Sequence, residues 1–358
     1  MKKPMRNPGN IVARCPGLDG LRAIACLIVL INHAAGSALG PIEFGDTTLQ
    51  LGVGKIGVWL FFVLSAFLLS LQFISATYAP KFLPDYILGR ILRILPAFMM
   101  AVVLYRFLGG AGIDNWEMVW FTITMQSAPA HLWTIPAEFA FYFVLPLIIL
   151  PAIWLTRVFS FWAAAAFGVL TLIASIVAWP PLTAPPNSSW FGYYMPVFLS
   201  GLAAAVWARK VPVHKSSAKT ITIFATVAVA VIIVVAKIAE ALSGNELLPR
   251  SHFLLGPMFG LVVYGVYVGA PRWLENQWLC KVGEWSFSIY LLHWGVLFWV
   301  ARLGSGVPAF IIDIAFSIAI GCIGYYLVER PAYSLRRALF RNKSEPTHVT
   351  GMMQANRK

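Results

Sequence analysis

Ten long apolar segments alternate with short polar loops along the chain. They cover residues 18–39, 53–75, 94–110, 133–155, 159–179, 190–208, 220–242, 252–270, 283–301 and 308–328. Each is close to the ~20 apolar residues with which a helix crosses the hydrocarbon core of a bilayer. A further apolar stretch at 116–127 is too short to span and indicates an interfacial or re-entrant segment. The pattern predicts an all-α, polytopic membrane helix bundle of about ten transmembrane helices.

Composition and charge agree with lipid as the surrounding medium. Only 11% of the residues are charged and 59% are hydrophobic, whereas a soluble domain carries about 25% charged residues. The net charge of +13 does not indicate a nucleic-acid partner, because the basic residues sit between apolar segments rather than on one soluble face. With the N-terminus in the cytoplasm, most basic residues fall in cytoplasmic segments, and the opposite loops hold only Arg250 and Arg302. Both termini are therefore predicted to be cytoplasmic.

The chain is predicted to hold one domain and a tail. The transmembrane domain covers residues 1–335, and a basic cytoplasmic tail covers 336–358. The stretch ERPAYSLRRALF at 329–340 fits an amphipathic helix on the membrane surface. Glycines in the eighth apolar segment, at positions 256, 260, 265 and 269, predict close helix packing. The four cysteines form no CxxC pair, so neither a metal site nor a disulfide framework is indicated.

The first apolar segment carries three ionisable residues, Asp19, Arg22 and His33. Charges inside a membrane are costly and mark candidate functional sites. Arg22 and His33 are separated by three helical turns, so they point to one side, about 16 Å apart along the axis. A structural reading remains open for each residue. Arg22 can pair with Asp19 and reach the membrane surface, and His33 can be a buried histidine that is hydrogen-bonded to a neighbouring helix.

Glu138 is the acidic candidate of the fourth apolar segment. Like His33, it lies five or six residues from the outer end of its own helix. If the two helices are neighbours, an acid and an imidazole meet at one depth, and the carboxylate can orient the histidine and raise its basicity. In the alternative interpretation, Glu138 pairs with Lys55, which also lies near the outer face.

The remaining candidates are two arginines and several histidines. Arg90 and Arg93 stand at the start of the third segment, where they can be a topology anchor or a phosphate clamp, since arginine binds phosphate well. His293 is interpreted as a packing or acceptor-side residue. Four other histidines fall in loops, at span ends or in the tail, and are given no role: His131, His214, His252 and His348.

Six stretches of the chain together match the pattern of a known family: LDGLRAIACLIVLINHA (18–34), GVWLFFVLSAFLL (57–69), RILRILP (90–96), HLWTIPAEFAFYFVLPL (131–147), WSFSIYLLHW (285–294) and YYLVERPAYSLRR (325–337). Through them the chain resembles the acyltransferase 3 family of membrane acyltransferases. The resemblance implies a ten-helix bundle that transfers an acyl group, usually acetyl from acetyl-CoA, to a hydroxyl of a glycan or a related acceptor. No permanently bound cofactor or metal is implied. The family commonly has glycine after the serine of its FFxxSG motif, and here Ala66 follows Ser65.

The expected mechanism divides the residues between two membrane faces. His33 is the expected general base and Glu138 orients it or shares its proton, while Arg22, Arg90 and Arg93 bind CoA phosphates from the cytoplasm. Three further residues are expected to be acceptor-side or structural: Ser65, Trp133 and His293. The expected location is the inner (plasma) membrane.

A transporter or flippase of a polyprenol-linked glycan is the competing hypothesis. Buried Arg, His and Glu suit an ion path as well as a catalytic site. Pseudo-symmetry between the two halves of the chain would favour transport, and the sequence shows none.

Overall fold

The computed structural model of the protein describes residues 15–40, 42–44, 47–49, 52–76, 82–185, 187–210, 214–244 and 246–341. Within these residues, ten helices are long and apolar enough to cross a membrane. This confirms the predicted helix bundle. Residues 1–14 and 342–358, which hold most of the predicted tail and His348, lie outside the described ranges.

The helices follow one another in chain order with short connections. They are α1 (Pro16–Ala38), α2 (Gly54–Ser75), α3 (Phe82–Leu108), α4 (Trp116–Ile123), α5 (Thr134–Val158), α6 (Phe161–Ala178), α7 (Met195–Lys210), α8 (Lys215–Ser243), α9 (His252–Gly269), α10 (Gln277–Leu303), α11 (Val307–Gly324) and α12 (Arg330–Arg341). Between α1 and α2, strands β1 (Ile42–Phe44) and β2 (Thr47–Leu49) pair antiparallel. A 3-10 turn, Ala130–Trp133, leads into α5, and a π-helical turn, Tyr325–Glu329, joins α11 to α12.

The third span starts earlier than the sequence pattern predicts. Helix α3 begins at Phe82 rather than near 94, so Arg90 and Arg93 lie inside the helix and not at its start. The hydropathy pattern placed the start after these charges. The helix continues through them because Arg90 is buried against two tyrosine rings and is only 6% exposed.

The short apolar stretch at 116–127 contains the helix α4, whose eight residues are too few to span a bilayer. The side chain of Asn115 caps it by accepting a hydrogen bond from the backbone N–H of Met118, at 2.7 Å. Trp116 and Trp120 are more than half exposed. Large exposed aromatic side chains fit the interfacial assignment, because Trp is enriched where membrane meets water.

Helix α1 lies at the centre of the bundle and packs against α2, α9, α10 and α11. Small residues permit these contacts. Gly57 of α2 lies against the backbone of Ala25, and Gly283 of α10 lies against the backbone of Asp19. Close backbone approach of this kind holds membrane helices together where hydrophobic burial cannot. The central position of α1 brings Arg22 and His33 within reach of several helices.

Three of the four glycines of α9 pack closely, as predicted, whereas Gly269 is only in ordinary van der Waals contact. Gly256 and Gly260 face Ser200 of α7, and Gly265 faces Thr222 of α8. Ala66, where the family commonly has glycine, is fully buried against Gly201 of α7. The methyl group of Ala66 is tolerated at this tight contact because the facing residue has no side chain.

Candidate functional site

The imidazoles of His33 and His293 form a hydrogen-bonded pair between α1 and α10. Nδ1 of His33 lies 2.9 Å from Nε2 of His293, and the rings are nearly parallel, with centroids 5.2 Å apart. The predicted pairing of His33 with Glu138 is corrected by this contact, because the hydrogen-bond partner of His33 is His293. Two residues separated by 260 positions in the chain thus meet at one point.

The hydrogen bonds determine which nitrogen carries a proton when the pair is neutral. Nδ1 of His293 lies 2.7 Å from the backbone carbonyl of Tyr290, and a carbonyl oxygen only accepts, so this Nδ1 carries the hydrogen. Nε2 of His293 is then an acceptor, and Nδ1 of His33 donates to it. Nε2 of His33 is consequently left with a free lone pair, which is the form that a general base requires.

His131 completes a histidine cluster, defined here as His33, His131 and His293 with Trp294. No role was predicted for His131 from the sequence, yet its side chain is only 3% exposed. Its ring stacks on Trp294 at 5.4 Å and meets His293 edge-on at 4.9 Å. Trp294 also contacts His33 edge-on, at 5.0 Å. The apolar pattern of the sequence holds no signal for this position, because His131 lies in a 3-10 turn before α5 that enters the bundle instead of crossing its surface.

A layer of hydroxyl groups lies about one helical turn from the cluster, towards the N-terminal end of α10. The hydroxyl of Tyr290 donates to the backbone carbonyl of His131 at 2.5 Å and accepts from the hydroxyl of Thr134 at 2.9 Å. These bonds fix the start of α5 against α10. They also set the depth of α5, since Thr134 is aligned with Tyr290 and not with His293.

Inward of this layer lies a cavity of about 570 Å³, including its open mouth. It is called the arginine cavity here. Five helices form its walls: α1, α2, α3, α5 and α10. Its polar lining consists of Arg22, Ser65, Arg93, Thr134, Glu138, Tyr142, Ser286 and Tyr290.

Glu138 belongs to the arginine cavity and not to the histidine cluster. Its Oε1 accepts hydrogen bonds from the hydroxyls of Ser65, at 2.5 Å, and Tyr142, at 2.6 Å. Glu138 follows Thr134 by one turn of α5, which places it about 6 Å further inward than the hydroxyl layer. The expected common depth of Glu138 and His33 is wrong for this reason. The alternative partner, Lys55, interacts instead with Glu246 at the end of the bundle where α2 begins.

The three candidate arginines lie together but in different surroundings. Arg22 and Arg93 line the cavity and repel each other electrostatically. Arg90 lies behind the wall, with its guanidinium 5.9 Å from the ring centre of Tyr86 and 5.8 Å from that of Tyr142. Like charges in a region of low dielectric constant are unfavourable unless anions compensate them. The cavity is therefore suited to an anionic ligand.

Two carboxylates provide part of that compensation. Arg93 interacts electrostatically with Glu138 and with Glu329, which the sequence analysis did not single out. Glu329 is 4% exposed and accepts a hydrogen bond from the hydroxyl of Ser288. Arg336 of α12 adds another positive charge to this region. Its guanidinium packs on Gly89 of α3. Helix α12 therefore contacts α3 beside the arginine cavity.

Trp133, at the end of the 3-10 turn, is not among the residues that line the arginine cavity. It is 5% exposed and its ring contacts Tyr194 at 5.2 Å. Together with Lys55 it lines a second pocket at the end of the bundle where α2 begins. Of the residues expected on the acceptor side, Ser65 thus lies in the arginine cavity, His293 in the histidine cluster and Trp133 in this outer pocket.

Known proteins resemble this chain over most of its length. A family model described as an acyltransferase domain matches residues 16–329. Nodulation protein 10 of Rhizobium leguminosarum bv. viciae is 23% identical, and the alignment covers 90% of this chain and 94% of that protein. Acyltransferase MdmB of Streptomyces mycarofaciens is 24% identical, with 82% of each chain covered. A Staphylococcus aureus (strain COL) protein provisionally named an O-acetyltransferase is 23% identical, over 88% of this chain and 57% of that protein. No solved structure gives a significant match.

The family match includes all the polar centres described above. It begins at the first residue of α1 and ends at the last residue of the π-helical turn, so it contains the histidine cluster and the arginine cavity. Its extent also agrees with the ten apolar helices of a multi-pass membrane protein. The chain therefore belongs to the acyltransferase 3 family and is a membrane acyltransferase.

Proposed function

We propose that the protein transfers an acetyl group from acetyl-CoA to a hydroxyl of a carbohydrate acceptor, with the donor on the cytoplasmic side and the acceptor on the outer side of the plasma membrane. The observation that carries the proposal is the hydrogen-bond order from Tyr290 through His293 to His33, which leaves Nε2 of His33 as a free base. An alcohol is a poor nucleophile near neutral pH, so transfer to a hydroxyl requires such a base.

The proton steps follow from this arrangement. Nε2 of His33 accepts the proton of the acceptor hydroxyl while the oxygen attacks the thioester carbonyl carbon. The new C–O bond forms, the C–S bond breaks, and the sulfur of CoA leaves with the electron pair. His33 then returns the proton to that sulfur. His293 holds the ring of His33 in place and shares the positive charge while it lasts, which is the role the sequence analysis gave to Glu138.

The arginine cavity is the proposed site of the donor. Arg22 and Arg93 face a diphosphate, which offers enough oxygens to accept bonds from both planar guanidinium groups. Glu138, held by Ser65 and Tyr142, keeps Arg93 oriented between turnovers. The pantetheine arm of CoA is long enough to carry the thioester past Thr134 and Tyr290 to His33. Arg90 supports this site through Tyr142 rather than lining it.

The acyl group and the acceptor are inferred from the relatives and from the position of the histidine cluster. The name of the staphylococcal relative refers to O-acetyl transfer, and the resemblance of the sequence to the family implies acetyl as the usual group and a glycan as a frequent acceptor. The position of the histidine cluster towards the outer end of α1 and α10 supports an acceptor that arrives from outside.

Mass spectrometry of cell-surface carbohydrates tests the proposal. A deletion strain of the source organism, the same strain with the wild-type gene, and the same strain with the His33→Ala variant are compared. We expect O-acetyl groups on carbohydrate only in the second strain. Identical O-acetylation in all three strains, at equal expression of the two proteins, would exclude the proposed reaction.

A further inference from the structure

The outer pocket lies at the end of the bundle where α2 begins. The connections after α1, α6 and α8 meet at this end, because successive spans alternate in direction. Its polar and aromatic lining includes Lys55, Trp59, Trp133, Tyr194, Glu246 and Arg250. Nothing in the proposed chemistry of His33 or of the donor uses this pocket.

Aromatic rings form the rigid inner wall of the pocket. Trp133 and Tyr194 are 5% and 4% exposed, and their ring centres lie 5.2 Å apart at a tilt of 37°. Trp59 is fully buried, and its indole N–H has no hydrogen-bond partner within the described residues. A buried donor without a partner is unfavourable, so a ligand with an oxygen acceptor at this wall would be stabilised.

Positively charged, negatively charged and amide side chains form the outer part of the pocket. Lys55 interacts with Glu246, and Arg250 and Asn187 stand beside them. The loop that carries Glu246 and Arg250 is held in place, because Glu240 accepts hydrogen bonds from the backbone N–H groups of Leu247 and Leu248. The pocket therefore presents hydrogen-bond donors and acceptors at fixed positions, and its charges of opposite sign partly cancel.

This combination selects a class of ligand. The C–H face of a sugar ring carries partial positive charge and packs on the negative face of an aromatic ring, while its hydroxyls satisfy both donors and acceptors at the edge. An acyl chain would leave the charged edge unpaired, and a phosphate would face Glu246. A neutral, hydroxyl-rich ring satisfies all of these groups.

The outer pocket shares two walls with the histidine cluster. His131 and Trp133 belong to the same 3-10 turn, and the first contacts His293 while the second lines the pocket. On the opposite wall, Gly54 lies against Asn32, which precedes His33, and Lys55 follows Gly54. A ring held in the pocket is thus next to the segments that carry the proposed base.

We propose that the outer pocket binds a neutral sugar ring of the acceptor, with Trp59 donating to one of its oxygens and the exposed edge of Trp133 in contact with the ring. This inference rests on the proposed transfer to a carbohydrate and names the site for it. The pocket residues then determine acceptor affinity and leave donor binding unchanged.

Two pairs of matched substitutions test the pocket in the full-length protein. Trp59→Phe removes the unpartnered N–H and keeps an aromatic ring, and Trp285→Phe is its control, because the indole N–H of Trp285 is also unpartnered but lies outside the pocket. Arg250→Gln changes an exposed pocket residue, and Arg302→Gln changes the other predicted outer arginine. Exposed Arg250 keeps the test valid if Trp59→Phe fails to fold.

The measurements are O-acetyl stoichiometry of cell-surface carbohydrate in the complemented deletion strain and acetyl-CoA binding by each purified variant. We expect Trp59→Phe and Arg250→Gln each to lower the stoichiometry about two- to tenfold, as the loss of one hydrogen bond implies, with acetyl-CoA binding as in wild type. Both control variants should match wild type in both measurements.

Three results would overturn the inference in distinguishable ways. Wild-type stoichiometry in both pocket variants would exclude the pocket and leave the proposed function standing. Loss of acetyl-CoA binding in Arg250→Gln would assign the residue to the donor or to folding. Absence of any carbohydrate O-acetylation by the wild-type protein would remove the proposed function and this site together.

Discussion

The histidine cluster and the arginine cavity are both polar centres inside an apolar bundle. They differ in how the free-energy cost of burying polar groups is compensated. In the cluster, the imidazoles form hydrogen bonds with each other and with backbone carbonyls, and the ring of Trp294 contacts both His33 and His131. In the cavity, the guanidinium groups of Arg22 and Arg93 remain as full charges beside open space. The first arrangement suits a proton that is taken up and returned. The second suits a ligand that brings its own negative charge.

The two ends of the bundle are expected to face opposite sides of the membrane, and labelling tests this as an all-or-none difference. Ser189 and Ser216 are both exposed, one in the connection before α7 and one at the start of α8. With an impermeant maleimide on intact cells, Ser189→Cys should be labelled and Ser216→Cys should not. The parent protein, with its four native cysteines, is the control and should stay unlabelled. Labelling of both variants, or of Ser216→Cys alone, would reject the orientation.

Removal of the proposed base should have the largest effect on the reaction. His33→Ala is expected to lower the transfer rate about a hundred- to ten-thousandfold, the usual contribution of a positioned general base, because it removes the Nε2 lone pair that the bond to His293 leaves free. Radiolabelled transfer from acetyl-CoA in isolated membranes measures it. His214→Ala, which alters an exposed histidine at the start of α8, should retain the wild-type rate. A wild-type rate in His33→Ala would end the assignment.

Replacing His293 should have a smaller effect than replacing His33, which sharpens the distinction between the two imidazoles. His293→Ala removes the acceptor that orients Nδ1 of His33 but leaves the base itself, so we expect a roughly ten- to hundredfold lower rate, as for a hydrogen bond to a charged group. Acetyl-CoA binding should be unchanged. If His293→Ala lost as much activity as His33→Ala, with both proteins folded, the role of base would have to be shared or reassigned.

Substitutions in the arginine cavity should weaken the binding of acetyl-CoA and leave the proton-transfer step unchanged. Arg93→Lys and Arg22→Lys keep the charge but lose the planar fork, so acetyl-CoA should bind about tenfold more weakly. His33→Ala should bind it as tightly as wild type. A binding titration on purified protein, with Arg302→Lys as the control, separates these cases. Wild-type affinity in both cavity variants would return the arginines to a role as topology anchors.

The sequence predicted the elements of the site better than their partners. The depth of a residue in a span follows from counting along one helix, so the positions of Arg22 near the N-terminal end of α1 and of His33 near its C-terminal end could be derived. Glu138 was assigned to His33 because both lie near span ends. That inference failed because α5 enters through a 3-10 turn that lies inside the bundle, and the pattern of apolar residues does not reveal such a turn.

His131 and Glu329 are buried residues of the site that were not predicted from the sequence. Both lie at the edge of an apolar segment, where a polar residue needs no explanation in sequence terms. In the structure, each is less than 5% exposed and contacts a proposed functional residue. Only burial distinguishes them from solvent-exposed residues, and burial at a span end depends on which neighbouring helix covers it.

Sequence patterns were sufficient to predict a bundle of ten apolar helices with a few charges at defined depths, because apolar length and helical rise are local properties. The tertiary structure alone decided which charges meet. Spans that are apolar on all sides carry little information about rotation or neighbours, and small residues fix those instead through close backbone contacts. The meeting of His33 with His293, and of Glu138 with Ser65 and Tyr142, was therefore decided by helix packing.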